Sequence, residues 1–159
     1  MSAIRILVDA DACRVKEEIY KVALRHGVPV SVVTNGGVRI PDHALIAREI
    51  VSGAFDAADD FIAAAADARA VVVTGDILLA ERCLKAGAAV ISPNGKPVTP
   101  DTIGGAIAMR AIMADIRGSG DPTAGGGALP FSKKDRSRFL ETLDAAIISA
   151  KRNRSPARF

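Results

Sequence analysis

The stretch Ile4-Arg5-Ile6-Leu7-Val8-Asp9-Ala10-Asp11-Ala12-Cys13 decides the fold class. A near-continuous apolar run ends abruptly in Asp9 and Asp11, and a helical pattern follows at once. In an open α/β sheet, ligands bind in the crevice beyond the carboxyl ends of the strands. Two carboxylates placed there repel each other and lose hydration, and a bound cation is the usual remedy. The pattern therefore predicts a buried strand opening a βα unit. It also predicts a hard-metal site for Mg²⁺ or Mn²⁺, whose commonest use is phosphate chemistry.

Outward from this stretch, strand and helix signals alternate. Residues 4–8 read as a strand and Cys13 to His26 as a helix with Val15, Ile19, Val22 and Ala23 on one face and Gly27 as its stop. Val28 to Thr34 form a second strand, closed by Asn35-Gly36-Gly37. Pro41 leaves Arg39 to Ala47 ambiguous, and Glu49 to Ser52 read as a short third strand. Asp56 to Asp67 look helical, Ala70 to Thr74 are the clearest strand, and a helix over Asp76 to Lys85 stops at Gly87. Ala88 to Ile91 give a fifth strand, and Thr99-Pro100 opens a helix running to about Arg117. This alternation implies right-handed crossovers and a mainly parallel, about five-stranded sheet in an α/β/α arrangement.

The 159 residues suit one domain, spanning 1–150. Gly118 to Gly127 hold five glycines and read as a flexible loop. Ser132-x-x-Asp135 is a capping-box start for a last helix over 133–150, whose Phe139, Leu143 and Ile147 should dock on the body. Residues 151–159 read as a disordered basic tail. The apolar runs are too short to span a membrane and the start has no signal-peptide pattern, so a cytoplasmic protein is expected. Cys13 and Cys83 match neither a redox nor a zinc pattern. Each reads as a small buried hydrophobe, although Cys13 also stands where a helix N-terminus lowers a thiol pKa.

Acids recur wherever a strand should end. Asp9 and Asp11 follow the first strand, Asp56, Asp59 and Asp60 open the helix after the third, and Asp76 follows the fourth. Strand ends that lie side by side would bring them together, around a metal that keeps waters and accepts a phosphate oxygen. Each group has a plainer reading as well. Asp76 suits a helix N-cap, and Asp56, Asp59 and Asp60 suit the positive end of a helix dipole. Asp9 and Asp11, terminating a buried strand, are harder to explain without a ligand.

The net charge of +3 conceals an asymmetry: residues from Lys133 onward carry net +5 and those before carry −2. An acidic centre with a basic end suits a polyanion, RNA more readily than DNA, held through its backbone because few aromatic residues are present to stack bases. A solvated helix face accounts for the same charges. Arg14 and Lys16, beside the first acids, and Lys133, Lys134 and Arg136, opening the last helix, are the candidate phosphate contacts, with salt bridges to Glu17 or Glu18 as the alternative for the first two. His26 and His43 are too isolated to suggest a catalytic pair.

Val8-Asp9-Ala10-Asp11-Ala12-Cys13, Gly53-Ala54-Phe55-Asp56-Ala57-Ala58-Asp59, Thr74-Gly75-Asp76-Ile77 and Pro130-Phe131-Ser132 with Asp135-Arg136 resemble the YaiI/YqxD family, as do Asn35, Arg39 and Pro41. That family is grouped with PIN-like domains, three-layer folds whose active members are Mg²⁺- or Mn²⁺-dependent nucleases. The resemblance implies Asp9, Asp11, Asp59 and Asp76 as catalytic and metal acids, with Asp56 as a further metal acid, and offers nothing for Asp60. Two positions depart from the family pattern: Arg14 and Leu78 stand where proline is usual. Their backbone N–H groups become available at two loop-to-helix junctions.

Three functions fit this pattern. The first is a metal-dependent phosphodiesterase acting on RNA. The second is a haloacid-dehalogenase-like phosphatase with Asp9 as nucleophile and Asp11 as general acid; it usually requires a late acid where this chain has Ala80. The third is a non-catalytic PIN-like nucleic-acid-binding module.

Overall fold

A computed structural model describes residues 4–10, 15–36, 38–52, 57–118 and 132–154. Strands β1 (Arg5–Asp9), β2 (Val30–Thr34), β3 (Ile46–Ile50), β4 (Ala70–Val73), β5 (Ala89–Ile91) and β6 (Pro97–Val98) form one sheet in the order β3-β2-β1-β4-β5-β6. All pairings are parallel except β5 with β6. Helices α1 (Lys16–His26), α2 (Ala57–Ala65), α3 (Ile77–Lys85), α4 (Pro100–Gly118) and α5 (Lys133–Arg154) cover both faces.

The pleat sorts the strand residues into two cores. Ile4 just before β1, Ile6 and Val8 within it, and Val71 and Val73 of β4 pack with α1 and α5. Leu7 and Val72 face the opposite way, onto α2, α3 and α4. A strand buried on both faces carries apolar residues in succession, as β4 does at all four positions. The molecule is therefore a three-layer α/β/α sandwich.

The helix ends follow local chemistry. Gly27, at φ 68°, takes the left-handed cap of α1, and the Val28 N–H closes onto Ala23 O at 2.9 Å. Ser132 and Asp135 form the expected capping box, each backbone N–H meeting the other's side chain at 3.1 Å. Phe139, Leu143 and Ile147 of α5 are completely buried.

Helix α5 runs alongside α1 in the same direction. Arg136 meets Glu18 near their starts at 3.0 Å, and Asp144 meets Arg25 at 3.0 Å and His26 at 2.6 Å further on. The His26 hydrogen bond is the largest influence holding the Asp144 carboxyl below its ordinary value of 3.8. A carboxyl depressed on folding contributes stability that is present above its unfolded pKa and lost as pH falls through its folded pKa. Asp144→Asn should therefore cost about 0.5–1 kcal/mol at pH 7, the range of partly exposed pairs. It should cost much less at pH 2. Urea midpoints at the two pH values would test this, and a penalty independent of pH would refute it.

Several features differ from the sequence-based expectations. The sheet has six strands, because Pro97 and Val98 pair back onto β5 across a short turn. The third strand runs from Ile46 to Ile50 rather than from Glu49 to Ser52, and the residues around Pro41 belong to the irregular connection that leads directly into it. Helix α1 begins at Lys16 rather than Cys13. Helix α5 continues to Arg154, past Ala150, while 155–159 lie outside the described residues. Of the expected glycine-rich loop, Gly118 ends α4 and 119–127 also lie outside them.

Candidate active site at the carboxyl rim of the sheet

The chain leaves β1 toward β2 and β3 on one side and returns with β4 on the other. This makes the carboxyl ends of β1 and β4 the topological switch point, where such sheets open a crevice. Val8 pairs with Val73, so Asp9 and Thr74 follow as neighbours at that opening. Asp9 shares the face of Leu7, which looks toward α2 and α3.

Asp9 is 5% exposed and Thr74 2% exposed. The Thr74 hydroxyl donates to Asp9 Oδ2 at 2.8 Å and accepts the backbone N–H of Asp76 at 3.0 Å. One hydroxyl thus joins two of the predicted acids. Asp76 caps α3, its Oδ1 accepting from Leu78 N at 2.9 Å and Leu79 N at 3.3 Å. The Leu78 N–H is therefore used in this protein: it helps fix Asp76. Among the described residues, the buried polar side chains are Asp9, Thr34 and Thr74, and all three close strands at this one rim.

Asp59 lies half-buried in the first turn of α2. Its charge reaches Cys83 on α3, and together with burial, the larger cause, it pushes that thiol up to about 11 against the opposing pull of Arg82. Cys83 is therefore a protonated, buried core residue, as the plain reading of the sequence expected. Asp60 points elsewhere and pairs with Arg82 at 3.0 Å. Asp11, Asp56, Arg14 and Cys13 lie outside the described residues. Among those described, no three His, Cys, Asp or Glu side chains are placed together to hold a metal ion. The structure links Asp9 to Asp76 and leaves Asp59 on the neighbouring helix.

The basic candidates divide as well. Lys133 and Lys134 are exposed in the first turn of α5, and Lys16 is half-buried at the start of α1. Arg136 is engaged by Glu18, whose side chain is only 13% exposed. The Arg136–Glu18 contact places the start of α5 beside the start of α1, at the same rim as the acids but in the other helical layer.

Thr74 is the residue that sequence reasoning missed. Its signal was available: a lone hydroxyl terminating the most apolar strand, two positions before Asp76.

The family model described as "Uncharacterized BCR, YaiI/YqxD family" matches residues 7–149. A UPF0178 protein of Sphingopyxis alaskensis is 64% identical over 153 residues, covering 96% of this chain and 98% of its own. One from Nitrobacter winogradskyi is 56% identical over 147 residues, with 92% of each chain covered. A third, from Rhodopseudomonas palustris, is 52% identical over 151 residues, covering 95% of this chain and 94% of its own. No solved structure matches. Among the described residues, no helix is long and apolar enough to cross a membrane.

Proposed function

The chain belongs to the YaiI/YqxD family, and we propose that it is a Mg²⁺- or Mn²⁺-dependent phosphodiesterase acting on RNA. The observation that carries this reading is the buried Asp9 at the switch point, joined through Thr74 to Asp76. A carboxyl group held this way at a crevice mouth is placed to serve a ligand, and hard oxygen donors select hard cations. Asp9 and Asp76 suit an ion that needs only one or two carboxylates and keeps its waters. Asp59 in the first turn of α2 is a further donor in this reading, as are Asp11 and Asp56 by their places in the sequence.

A bound divalent cation would neutralise charge developing on the phosphoryl oxygens and supply an activated water. The chain's own residues do the rest. Thr74 fixes the rotamer of Asp9, the cap of α3 fixes Asp76, and Lys16, Lys133 and Lys134 attract the phosphate backbone to this rim. Arg14 has the same part in this reading, and Arg136 anchors α5 through Glu18. With few aromatic residues to stack bases, binding should be sequence-indifferent and salt-sensitive.

Calorimetric titration of Mn²⁺ into wild type and Asp9→Asn tests the proposal, with cleavage of a labelled single-stranded RNA as the second readout. The substitution should weaken Mn²⁺ binding at least about tenfold, or about 1.4 kcal/mol, and abolish cleavage. Equal Mn²⁺ affinity in the two proteins would refute the metal assignment. Metal binding without cleavage would leave a nucleic-acid-binding module in its place.

A further inference from the structure

Among the described residues, the connection between β2 and β3 has no helix. Parallel pairing obliges the chain to return along the sheet before β3 begins at Ile46. It does so as an irregular segment whose Val38 and Ile40 pack against the α1-side core. A groove of about 480 Å³ opens between this segment and β3, lined by Arg39, Ile40, Asp42, His43, Ile46 and Arg48 among others. Arg48 pairs in register with Val32 and Ile46 packs with the same core, so the groove opens on the α1 side, away from the face toward which Asp9 points.

Its donors are positioned and only partly used within the protein. Arg48 Nη1 donates to the Val38 carbonyl at 2.9 Å, which holds the guanidinium over the connection and leaves its other N–H groups for a ligand. His43 Nδ1 accepts the Leu45 N–H at 3.0 Å, so the neutral ring carries its proton on Nε2 and presents a donor there. Arg5, Arg25, Arg82, Arg136 and Arg138 all pair with carboxylates. Among the described residues, Arg39 and Arg48 form no ion pair, although Asp42 lines the same groove. Two guanidinium groups outweigh that one carboxylate. The groove therefore carries a net positive charge, which an oxyanion with several acceptor atoms matches best.

We propose that this groove binds a phosphate ester, with Arg39 and Arg48 on the phosphoryl oxygens and His43 Nε2–H as a third donor. Ile40 and Ile46 provide an apolar wall for the organic part, which favours an ester over inorganic phosphate. The ester is either a free nucleotide or a phosphate within a nucleic-acid strand. The site is separate from the acidic rim and needs no metal.

The test uses the full chain in EDTA. Adenosine 5′-monophosphate is titrated calorimetrically, a fluorescein-labelled oligouridylate by anisotropy, and adenosine serves as the unphosphorylated control. Arg48→Ala removes the tie to Val38 and can loosen the connection, so Arg39→Ala, which leaves that tie in place, is the deciding variant. It should weaken binding about tenfold or more with an unchanged thermal midpoint. Loss for the nucleotide alone identifies a free nucleotide, and loss for the oligonucleotide alone identifies a strand. The proposal is overturned if neither phosphate-bearing probe binds better than adenosine, or if Arg39→Ala binds like wild type. EDTA removes the cation on which the rim reading depends, so failure at the groove and failure at the rim are separable.

Discussion

Gly95→Ala should lower the unfolding free energy by about 3–5 kcal/mol, the sum expected for a strained backbone and an overpacked contact. Gly95 lies in the turn between β5 and β6 at φ 89°, where side chains are disfavoured. A Cβ there would sit 2.6 Å from Phe139 N and 2.9 Å from the Arg138 carbonyl carbon. Both are backbone atoms of α5 and cannot swing aside. The contact is held from the other side as well, since Thr142 Oγ1 donates to Gly95 O at 2.7 Å. Phe139 is fully buried, so any retreat of α5 uncovers the core beneath it. Gly36 is the control: a Cβ there meets nothing within 4 Å, and Gly36→Ala should change stability by less than about 0.5 kcal/mol. Urea denaturation of the two variants measures both. A penalty at Gly95 as small as that at Gly36 would mean that α5 is not seated on the hairpin.

Thr74→Val should cost about 1–3 kcal/mol, because it removes a donor to the buried Asp9 and the acceptor of the partly buried Asp76 N–H at once. Asp9 Oδ2 loses the Thr74 hydroxyl and the Asp76 N–H loses its acceptor, with little change in side-chain shape to confuse the result. Thr74→Ser keeps the hydroxyl and removes one methyl group, for about 1 kcal/mol. The pair separates packing from hydrogen bonding: if valine and serine cost the same, the hydroxyl is not what holds the rim. On the proposed function, valine also weakens Mn²⁺ binding while serine preserves it. That second readout distinguishes a positioning role from a merely structural one.

The chain displays its central architecture openly. β1 and β4 are buried on both faces, so their apolar runs are unbroken, and the carboxyl-end position of Asp9 and the capping role of Asp76 follow directly. The edges are less legible for a physical reason. β3 is an outer strand with Ala47, Arg48 and Ile50 exposed, so its residues follow neither a buried run nor a clean alternation. β6 has two residues, one of them proline, and is too short to show any period. Thr74 escaped notice because a hydroxyl at a strand end looks like the start of a turn. Its importance comes from a neighbour 65 positions away. The Arg39–His43–Arg48 groove was hidden for a similar reason, being assembled from an irregular connection and the strand it leads into.

Helix α5 covers β4 and β5 and lies along α1, yet it follows all of them in the chain. While the protein is being made, every strand leaves the ribosome before Phe139, Leu143 and Ile147 exist to cover them. The α2–α3 layer can close early, whereas the α1 layer waits half-bare, with Val71, Val73 and Ile91 still wet. The nascent domain is therefore lopsided, and its final cooperative closure depends on the arrival of one late helix.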